Sequence, residues 1–414
     1  MNPPSDAIGR YRLALEREAE LSAFWGRYLG LDARLLQIPN GFIHHRRVLA
    51  IAPLLRVALP VFGVLWALVG LPLLAMTWAL RWTCTGGWPR RLGLPPVVYL
   101  HASNDRNLAF VPAAADRPNA ALTLPWRANA PPGPWALERI DLRAVSSRAM
   151  VWRAAWLGVC AAVQTLFSTE RARVLFTYSA PTWMWVHEVL ATAPMRTIWM
   201  SNHVDRWASL ATSFPGVDAI IVQHGDLAHW DVATDTRIVP TLTTKLTAVA
   251  RVFVTDAESI DDFVAAVTGP SPEFTRIELG MRSEPWSVAP GVTRLLVIGH
   301  PDAQDAVARL LRALEERAVG GFAVAYRPHP TESRPVVLPQ VAMERVSITD
   351  GGSVVPHADV VLSYGSSVTG EIVRATDAIL VRWNPNDVAS IDTAVEAVLD
   401  AAARHRQATV PARR

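Results

Sequence analysis

Residues 6–37 set apolar positions at helical spacing among arginines and glutamates: Leu13, Leu15, Leu21, Phe24, Trp25, Tyr28 and Leu29. That period predicts an amphipathic helix, which can pack on a globular core or lie on a bilayer. The pattern then changes. Val57–Leu80 is a run of 24 residues without a charge, about 36 Å long as a helix and enough for a hydrocarbon core of about 30 Å. Pro60 and Pro72 interrupt it, so a re-entrant or interfacial helical hairpin is the leading expectation, with a single span and a buried helix pair as alternatives. Arg46, Arg47 and Arg56 precede the run and Arg81, Arg90 and Arg91 follow it, which draws both flanks toward the cytoplasm. Trp66, Trp78, Trp82 and Trp88 suit an interface.

Beyond this segment, short β-branched runs alternate with helical stretches, the signature of parallel α/β units. Strands are expected near Val97–His101, Arg173–Tyr178, Arg196–Met200, Ala219–Gln223 and Arg251–Thr255, with helices near 143–168, 181–193 and 257–267. A proline- and serine-bearing stretch at Arg282–Pro290 separates a second series. There, strands are expected at Arg294–Gly299, Phe322–Tyr326, Arg345–Ile348, Asp359–Leu362 and Ala378–Arg382, and helices at 302–318, Ser366–Ala375 and 388–404. The division that follows is an amphipathic region 1–46, a membrane-associating segment 47–92, a Rossmann-like acceptor or catalytic domain 93–285, a Rossmann-like nucleotide-sugar domain 286–404, and a frayed tail 405–414.

The length of 414 residues suits two domains and an accessory segment. Half of the residues are hydrophobic and 19% are charged, which excludes disorder and leaves apolar surface in search of a membrane. The 40 basic and 37 acidic side chains nearly cancel, so nucleic acid is not an expected partner. Lys245 is the one lysine, and it follows Thr243-Thr244 instead of glycine, which removes the Walker phosphate loop and disfavours pyridoxal chemistry. Cys84 and Cys160 form no CxxC pair; His187-Glu188 lacks the second histidine of a zincin, the position being Ala191; no Asp-x-Asp pair occurs. Neither a metal nor a resident cofactor is therefore expected. GxSxG and GxGxxG are absent as well.

In open parallel sheets ligands bind beyond the carboxyl ends of the strands, so polar residues directly after expected strands are the candidates. The second half has Gly299-His300-Pro301, Arg327-Pro328-His329-Pro330-Thr331-Glu332 and Ser363-Tyr364-Gly365-Ser366-Ser367, the last opening a helix. A helix N-terminus offers free N–H groups and positive potential, and hydroxyls add donors, which together make a phosphate cradle. Ser363 or Ser366 could equally act as a plain helix cap. Arg327 and His329, stiffened by two prolines, resemble fixed donors aimed at an anion. The first half offers His101-Ala-Ser-Asn-Asp105-Arg106-Asn107, Ser201-Asn202-His203-Val204-Asp205-Arg206 and Gln223-His224-Gly225-Asp226. His101, Asp105 and His203 are acceptor-side candidates. His224 is the leading base because imidazole suits neutral pH, with Asp226 and Asp205 as competitors and a structural histidine as the plain alternative.

The pair His329-Pro330, followed some 35 residues later by Ser366-Ser367 at a helix start, resembles the donor-domain motifs of bacterial GT-B glycosyltransferases that use CMP-activated sugars: sialyltransferases, polysialyltransferases and Kdo transferases of surface polysaccharides. Together with Gln223-His224-Gly225 it is also similar to the CDP-glycerol glycerophosphotransferases. The resemblance covers residues 290–385 by motif and 95–280 by architecture. It implies two Rossmann-like domains facing a cleft, His329, Ser366 and Ser367 on the donor phosphate, and Glu371 on the ribose. The acidic-pair-glycine motif of the sialyltransferases has no counterpart in the first half.

What the resemblance implies is a membrane-associated, metal-independent glycosyltransferase on the cytoplasmic face of a bacterial inner membrane. Its donor would be a CMP sugar, Kdo or a related acidic sugar, and its acceptor a surface glycan or lipid-linked glycan. A CDP-glycerol-type phosphotransferase and a non-catalytic GT-B-like assembly subunit are the alternatives.

Overall fold

The computed structural model describes residues 4–28, 52–84, 88, 93–102, 106–112, 117–127, 135–168, 171–201, 205–223, 229–231, 236–278, 282–299, 304–317, 321–328, 354–363, 369–383 and 390–409. The chain divides into two compact units, one of Met1–Leu227 with Val239–Ile277 and one of Ala228–Ile238 with Glu278–Arg414.

The first unit is built on a sheet of seven strands: β1 (Val97–His101), β2 (Ala120–Thr123), β3 (Glu138–Asp141), β4 (Thr197–Met200), β5 (Asp218–Val222), β8 (Val249–Val254) and β9 (Glu273–Arg276). They lie in the order β3-β2-β1-β4-β5-β8-β9, with every neighbouring pair parallel. This is the Rossmann order extended by one strand. The middle strands are buried on both faces and therefore read as unbroken apolar runs; Tyr99, Leu100, Ile198, Trp199, Ile221 and Val252 are all interior. Between β5 and β8 the chain makes a small antiparallel hairpin, β6 (His229–Asp231) and β7 (Thr236–Ile238).

Helix α1 (Pro4–Tyr28) packs on this unit: Tyr11, Ala14 and Leu15 enter its core, and Glu16 and Glu18 pair with Arg173 and Arg206. Of its two expected uses, core packing is the one realised. The expected hairpin at 57–80 is not formed. Helix α2 (Ala52–Leu65), a π turn (Trp66–Gly70) and helix α3 (Leu71–Cys84) run on as one continuous rod. Pro72 lacks the N–H that would bond back to residue 68, and its ring crowds that carbonyl. The wider turn just before it, closed by Leu71 N–H on the Trp66 carbonyl, opens the backbone and keeps the rod intact.

The rod buries one stripe at every fourth residue: Gly63, Ala67, Leu71, Ala75, Ala79 and Thr83. A strict four-residue repeat overruns the roughly 3.6-residue α turn, and the π turn absorbs part of that drift. The stripe meets α4 (Arg148–Leu166) and the segment after it. Ala67 and Leu71 cluster with Ala162 and Val174, Trp66 Nε1 donates to Thr177 Oγ1 (3.2 Å), and Trp78, edge-on, and Trp82, tilted, pack on buried Trp185 with centroids 5.5 and 5.4 Å apart. Half-buried against this core, Trp78 and Trp82 are packing residues at least as much as interface residues. Helix α4 starts at Arg148, five residues later than expected, because Ser147 caps it by accepting from Met150 N–H. Its neighbour α5 (Ala180–Thr192) approaches so closely that a Cβ on Gly158 would lie 2.8 Å from Pro181 N.

The segment expected as a strand at 173–178 is instead a 3-10 helix, Arg171–Ser179. Val174 and Phe176 face the core, Thr177 Oγ1 bonds back to the Val174 carbonyl (2.5 Å), and the Phe176 carbonyl accepts from Arg206 (2.7 Å). The segment pairs with no strand among the described residues.

The second unit holds a parallel four-stranded sheet in the order β12-β11-β14-β15, from β11 (Thr293–Ile298), β12 (Phe322–Arg327), β14 (Val360–Ser363) and β15 (Ile379–Arg382). A parallel pair, β10 (Arg282–Glu284) with β13 (Val354–Pro356), stands apart from it. The strand expected at 345–348 lies outside the described residues. The helices are α8 (Gln304–Arg317), α9 (Thr369–Thr376) and α10 (Ser390–Thr409); the first unit contributes α6 (Arg206–Ala211) and α7 (Ala257–Asp262). Residues 405–409 of the expected tail continue α10, with His405 Nε2 3.1 Å from the Asp359 carboxylate and Arg406 reaching Thr293 Oγ1; residues 410–414 lie outside the described residues. Asp359 also bonds Arg294, whose side chain and backbone N–H hold its carboxyl below the usual range although burial pushes the other way.

Candidate functional site

In each parallel sheet the point where the strand order reverses opens a crevice at the carboxyl edge. In the first unit the chain runs outward through β1, β2 and β3, then returns to place β4 on the other side of β1. The reversal lies between β1 and β4, and the stretches after those strands are His101–Asn107 and Ser201–Arg206. Asn107, in a 3-10 turn (Arg106–Phe110), donates from Nδ2 to the Gln223 carbonyl at 2.5 Å. The loop after β1 thus reaches past β4 to the end of β5, and the three polar stretches of this unit share one edge.

Gln223 is locked there. Its Nε2 donates to Ser259 Oγ (3.0 Å), and its Oε1 accepts from the Thr255 backbone N–H (2.8 Å) and from Thr255 Oγ1 (3.1 Å). Ser259 N–H in turn bonds Asp256, the cap of α7. Every polar atom of this buried amide is engaged, which fixes the point where the chain leaves the sheet. His101 is buried at the end of β1, and its Nε2 accepts from Arg127 Nε (3.2 Å). Beside it, Trp126 Nε1 donates to the Ala102 carbonyl (3.0 Å) and its ring leans on Trp207, 4.9 Å between centroids.

Asp205 caps α6, its Oδ1 accepting from Trp207 N–H at 2.8 Å. Its charge also acts on buried Arg17, which burial brings down to about 10 against the pull of Asp205 and Glu20. Asp205, a candidate base in the sequence, thus also serves as a helix cap. Arg206, expected only as part of a polar strand end, is a buried anchor. It bonds both carboxylate oxygens of Glu18 at 2.5 Å, the Phe176 carbonyl, Ser179 Oγ and Tyr11 OH, and lies 4.7 Å from the Tyr178 ring centroid. Burial works against its charge, yet Glu18 and the tyrosines hold its pKa above the ordinary arginine value.

In the second unit the chain passes from β11 to β12 on one side and returns to β14 on the other, so the reversal lies between β11 and β14. The stretches Gly299–Pro301 and Ser363–Ser367 follow those two strands. Arg327 ends β12 opposite Ile298, and its carbonyl accepts from Gly299 N–H (2.8 Å). Ser363 is buried at the end of β14, its hydroxyl 2.5 Å from that of Thr369 at the start of α9. This hydroxyl pair ties the strand end to the helix start across the intervening loop. Helix α9 is described from Thr369, the expected start at Ser366 lying outside the described residues, and Glu371 is buried in its first turn, where a carboxylate suits the helix dipole.

Of the expected site residues, His101, Asp205, Arg327 and Glu371 are placed as above. His224, Asp226, Asp105, His203, His300, His329, Pro330, Ser366 and Ser367 lie outside the described residues, and the positions flanking them fix which strand end each follows. Sequence reasoning missed Trp126, Arg127 and the Thr255–Ser259 brace. Asp256 with Ser259 three residues on is a helix-start signal that could have revealed the last of these. Compared with protein-family models and with curated protein sequences, the chain matches none.

Proposed function

We propose that the protein is a glycosyltransferase of the GT-B class that moves a Kdo-like acidic sugar from a CMP-activated donor to a surface-glycan or lipid-linked acceptor at a membrane. The observation that supports this best is the coincidence of chemistry with topology. In both parallel sheets, the histidine-, serine- and arginine-bearing stretches directly follow the strands that flank the order reversal or a strand beside them. Residues scattered over a surface for solubility would not collect there.

In this reading the second unit binds the donor. The start of α9, with Ser366 and Ser367 ahead of it and His329 and His300 after β12 and β11, offers hydroxyl, backbone and imidazole donors to one phosphate group, and Arg327 supplies charge nearby. The phosphate of a CMP sugar can leave with such donors alone, which accords with the absence of an Asp-x-Asp pair in the sequence. Glu371 takes the ribose. The first unit carries the acceptor and the base. His224, leaving the sheet one residue after the locked Gln223, takes the proton of the acceptor hydroxyl as its oxygen bonds to the anomeric carbon. The bond from that carbon to the phosphate oxygen breaks, and CMP departs with the electron pair.

The test is a comparison of nucleotides on the purified full chain. CMP and CMP sugars should raise the melting temperature where UDP and GDP do not, since a ligand at 100 times its Kd adds about 2.7 kcal/mol to the folded state. CMP release should then depend on acceptor. A product that has gained phosphorus would replace this reading with the glycerophosphotransferase one, and preference for UDP or GDP would remove both.

A further inference from the structure

From Val61 to Cys84 the rod turns one narrow stripe to the protein and the rest of its circumference outward. Val61, Leu65, Leu68, Leu73, Met76 and Leu80 are all exposed. Alongside it α4 exposes Trp152 and Trp156, the latter at 67%, and the residue after α4, Phe167, is 76% exposed. Contiguous apolar surface on this scale marks an interaction site. The rod's hydroxyls are satisfied within it: exposed Thr77 Oγ1 returns to the Leu73 and Leu74 carbonyls at 2.9 and 3.0 Å, and buried Thr83 Oγ1 to the Ala79 carbonyl at 2.7 Å. A face in hydrocarbon needs that, because no water is present to complete its hydrogen bonds.

Charge identifies the occupant. Neither 52–84 nor α4 contains an acidic residue, and the charges they do carry are Arg56, Arg81, Arg148 and Arg153. Trp88 adds an indole near Arg143 and Arg148, whose guanidinium carbons lie 5.3 and 6.0 Å from its ring centroid. An apolar belt edged by arginine and tryptophan, basic in balance although Arg153 pairs with Glu188 of α5 at 3.4 Å, complements an anionic lipid surface. A second copy would set arginine against arginine.

The packing then fixes the orientation. Contacts with α4, Val174 and Trp185 accompany the rod from Gly63, where a Cβ would meet Val174 at 2.9 Å, to Thr83 at its far end. That is about 30 Å of helix at ~1.5 Å per residue. A transmembrane span leaves its soluble domain beyond one end; here the domain lies beside the rod from residue 63 to residue 83.

We propose that residues 52–84 and the outward row of α4 form one monotopic surface, lying in the plane of an anionic bilayer and crossing no part of it. The proposal refines the membrane half of the function above and is independent of the donor and the base.

The experiment uses the full chain with vesicles of phosphatidylglycerol and phosphatidylethanolamine. In a Cys84→Ser, Cys160→Ser background, single cysteines at Leu68, Leu73, Leu80 and Trp156 carry an environment-sensitive fluorophore, and spin-labelled lipids report depth. All four positions should lie at one shallow depth, roughly 5–10 Å below the headgroup boundary. Leu68→Glu with Leu73→Glu, and separately Trp152→Ala with Trp156→Ala, should weaken vesicle partitioning at least tenfold while the melting temperature stays unchanged, since all four side chains are exposed. Phosphatidylcholine vesicles and high salt should weaken it too. A ladder of depths along the rod, with Trp156 outside the bilayer, would establish a span and overturn the in-plane geometry while leaving membrane association standing. Failure to float with any vesicle would overturn both. A stable dimer dissociated by Leu68→Glu, without vesicle binding, would assign the face to a second copy and overturn the proposal.

Discussion

The test most directly worked from the structure is Glu18→Gln. Arg206 is fully buried, and its charge is matched by one carboxylate, Glu18, that reaches it from the first helix with both oxygens at 2.5 Å. Removing the negative partner leaves the guanidinium buried and uncompensated, a loss on the order of 3–5 kcal/mol. Glutamine still accepts one hydrogen bond and Tyr11, Ser179 and the Phe176 carbonyl remain, which places the expectation near the lower bound, about 3 kcal/mol. In a unit of this size about 1 kcal/mol moves the melting temperature by roughly 2–4 °C, so a fall of about 6–12 °C is expected in thermal melts followed by circular dichroism. Two controls decide the mechanism. Glu273→Gln breaks the Arg251–Glu273 pair, whose side chains are 36% and 61% exposed, and should change stability by less than about 1 kcal/mol. Glu18→Leu combined with Arg206→Met removes both charges and should be less destabilising than the two single changes summed, by about 1 kcal/mol or more. A shift below 2 °C for Glu18→Gln, or strict additivity in the cycle, would refute the claim that this pair fastens α1 to the strand-end loop. Because Arg206 directly follows that loop, Glu18→Gln should also raise the acceptor KM and leave CMP affinity unaltered.

His187 lies between the rings of Trp183 and Phe214, 5.4 and 5.1 Å away, and burial lowers its pKa to about 4, with Arg10 lowering it further and Asp6 opposing. The unfolded chain takes up a proton near pH 6.5 while the fold refuses it down to about 4. Stability should therefore fall by about 3 kcal/mol across that window as the pH drops, and urea melts of His187→Phe should lose that part of the dependence. Gly158→Ala forces a methyl onto Pro181 and should destabilise by about 1–3 kcal/mol, read from the same melts. His329→Ala, Ser366→Ala and Ser367→Ala should each weaken CMP binding by roughly 1–3 kcal/mol in calorimetric titrations. Steady-state kinetics of His224→Gln should show turnover reduced by about 10²-fold or more with CMP affinity intact; a loss below tenfold would pass the basic role to Asp226.

The central strands were legible because burial on both faces demands unbroken apolar residues: Val97–His101 is the strand its composition announces, and β4, β5 and β8 lie within two residues of their expected bounds. The outer strands were not. Residues 138–141, Glu-Arg-Ile-Asp, expose three of four side chains at the sheet edge, and residues 120–123 are too short and alanine-rich to stand out. Residues 173–178 misled for the opposite reason, since a β-branched and aromatic run suits a strand but here feeds the core from a 3-10 helix whose carbonyl is taken by Arg206. Pro72 read as a break because sequence carries no sign of the π turn that relieves it. Strand-end placement made the polar stretches conspicuous. It could not show that the His101 ring nitrogen is held by Arg127, because that partner lies 26 positions away and only the fold brings it near; the Asp205 cap, two residues from Trp207, is a local helix-start signal that was open to reading.

The hairpin at 228–238 groups with the second unit although strands of the first unit precede and follow it. The chain consequently passes between the units three times. During synthesis the first unit can complete its seven-stranded sheet once residue 277 has emerged, but the hairpin by then has nothing of its own unit to join except itself. It must wait, tethered at both ends to a finished sheet, while the remaining residues are made. Cutting the gene after residue 277 would strand it permanently, so the natural seam for dividing this molecule is a pair of cuts around 228–238 as well as one near 278.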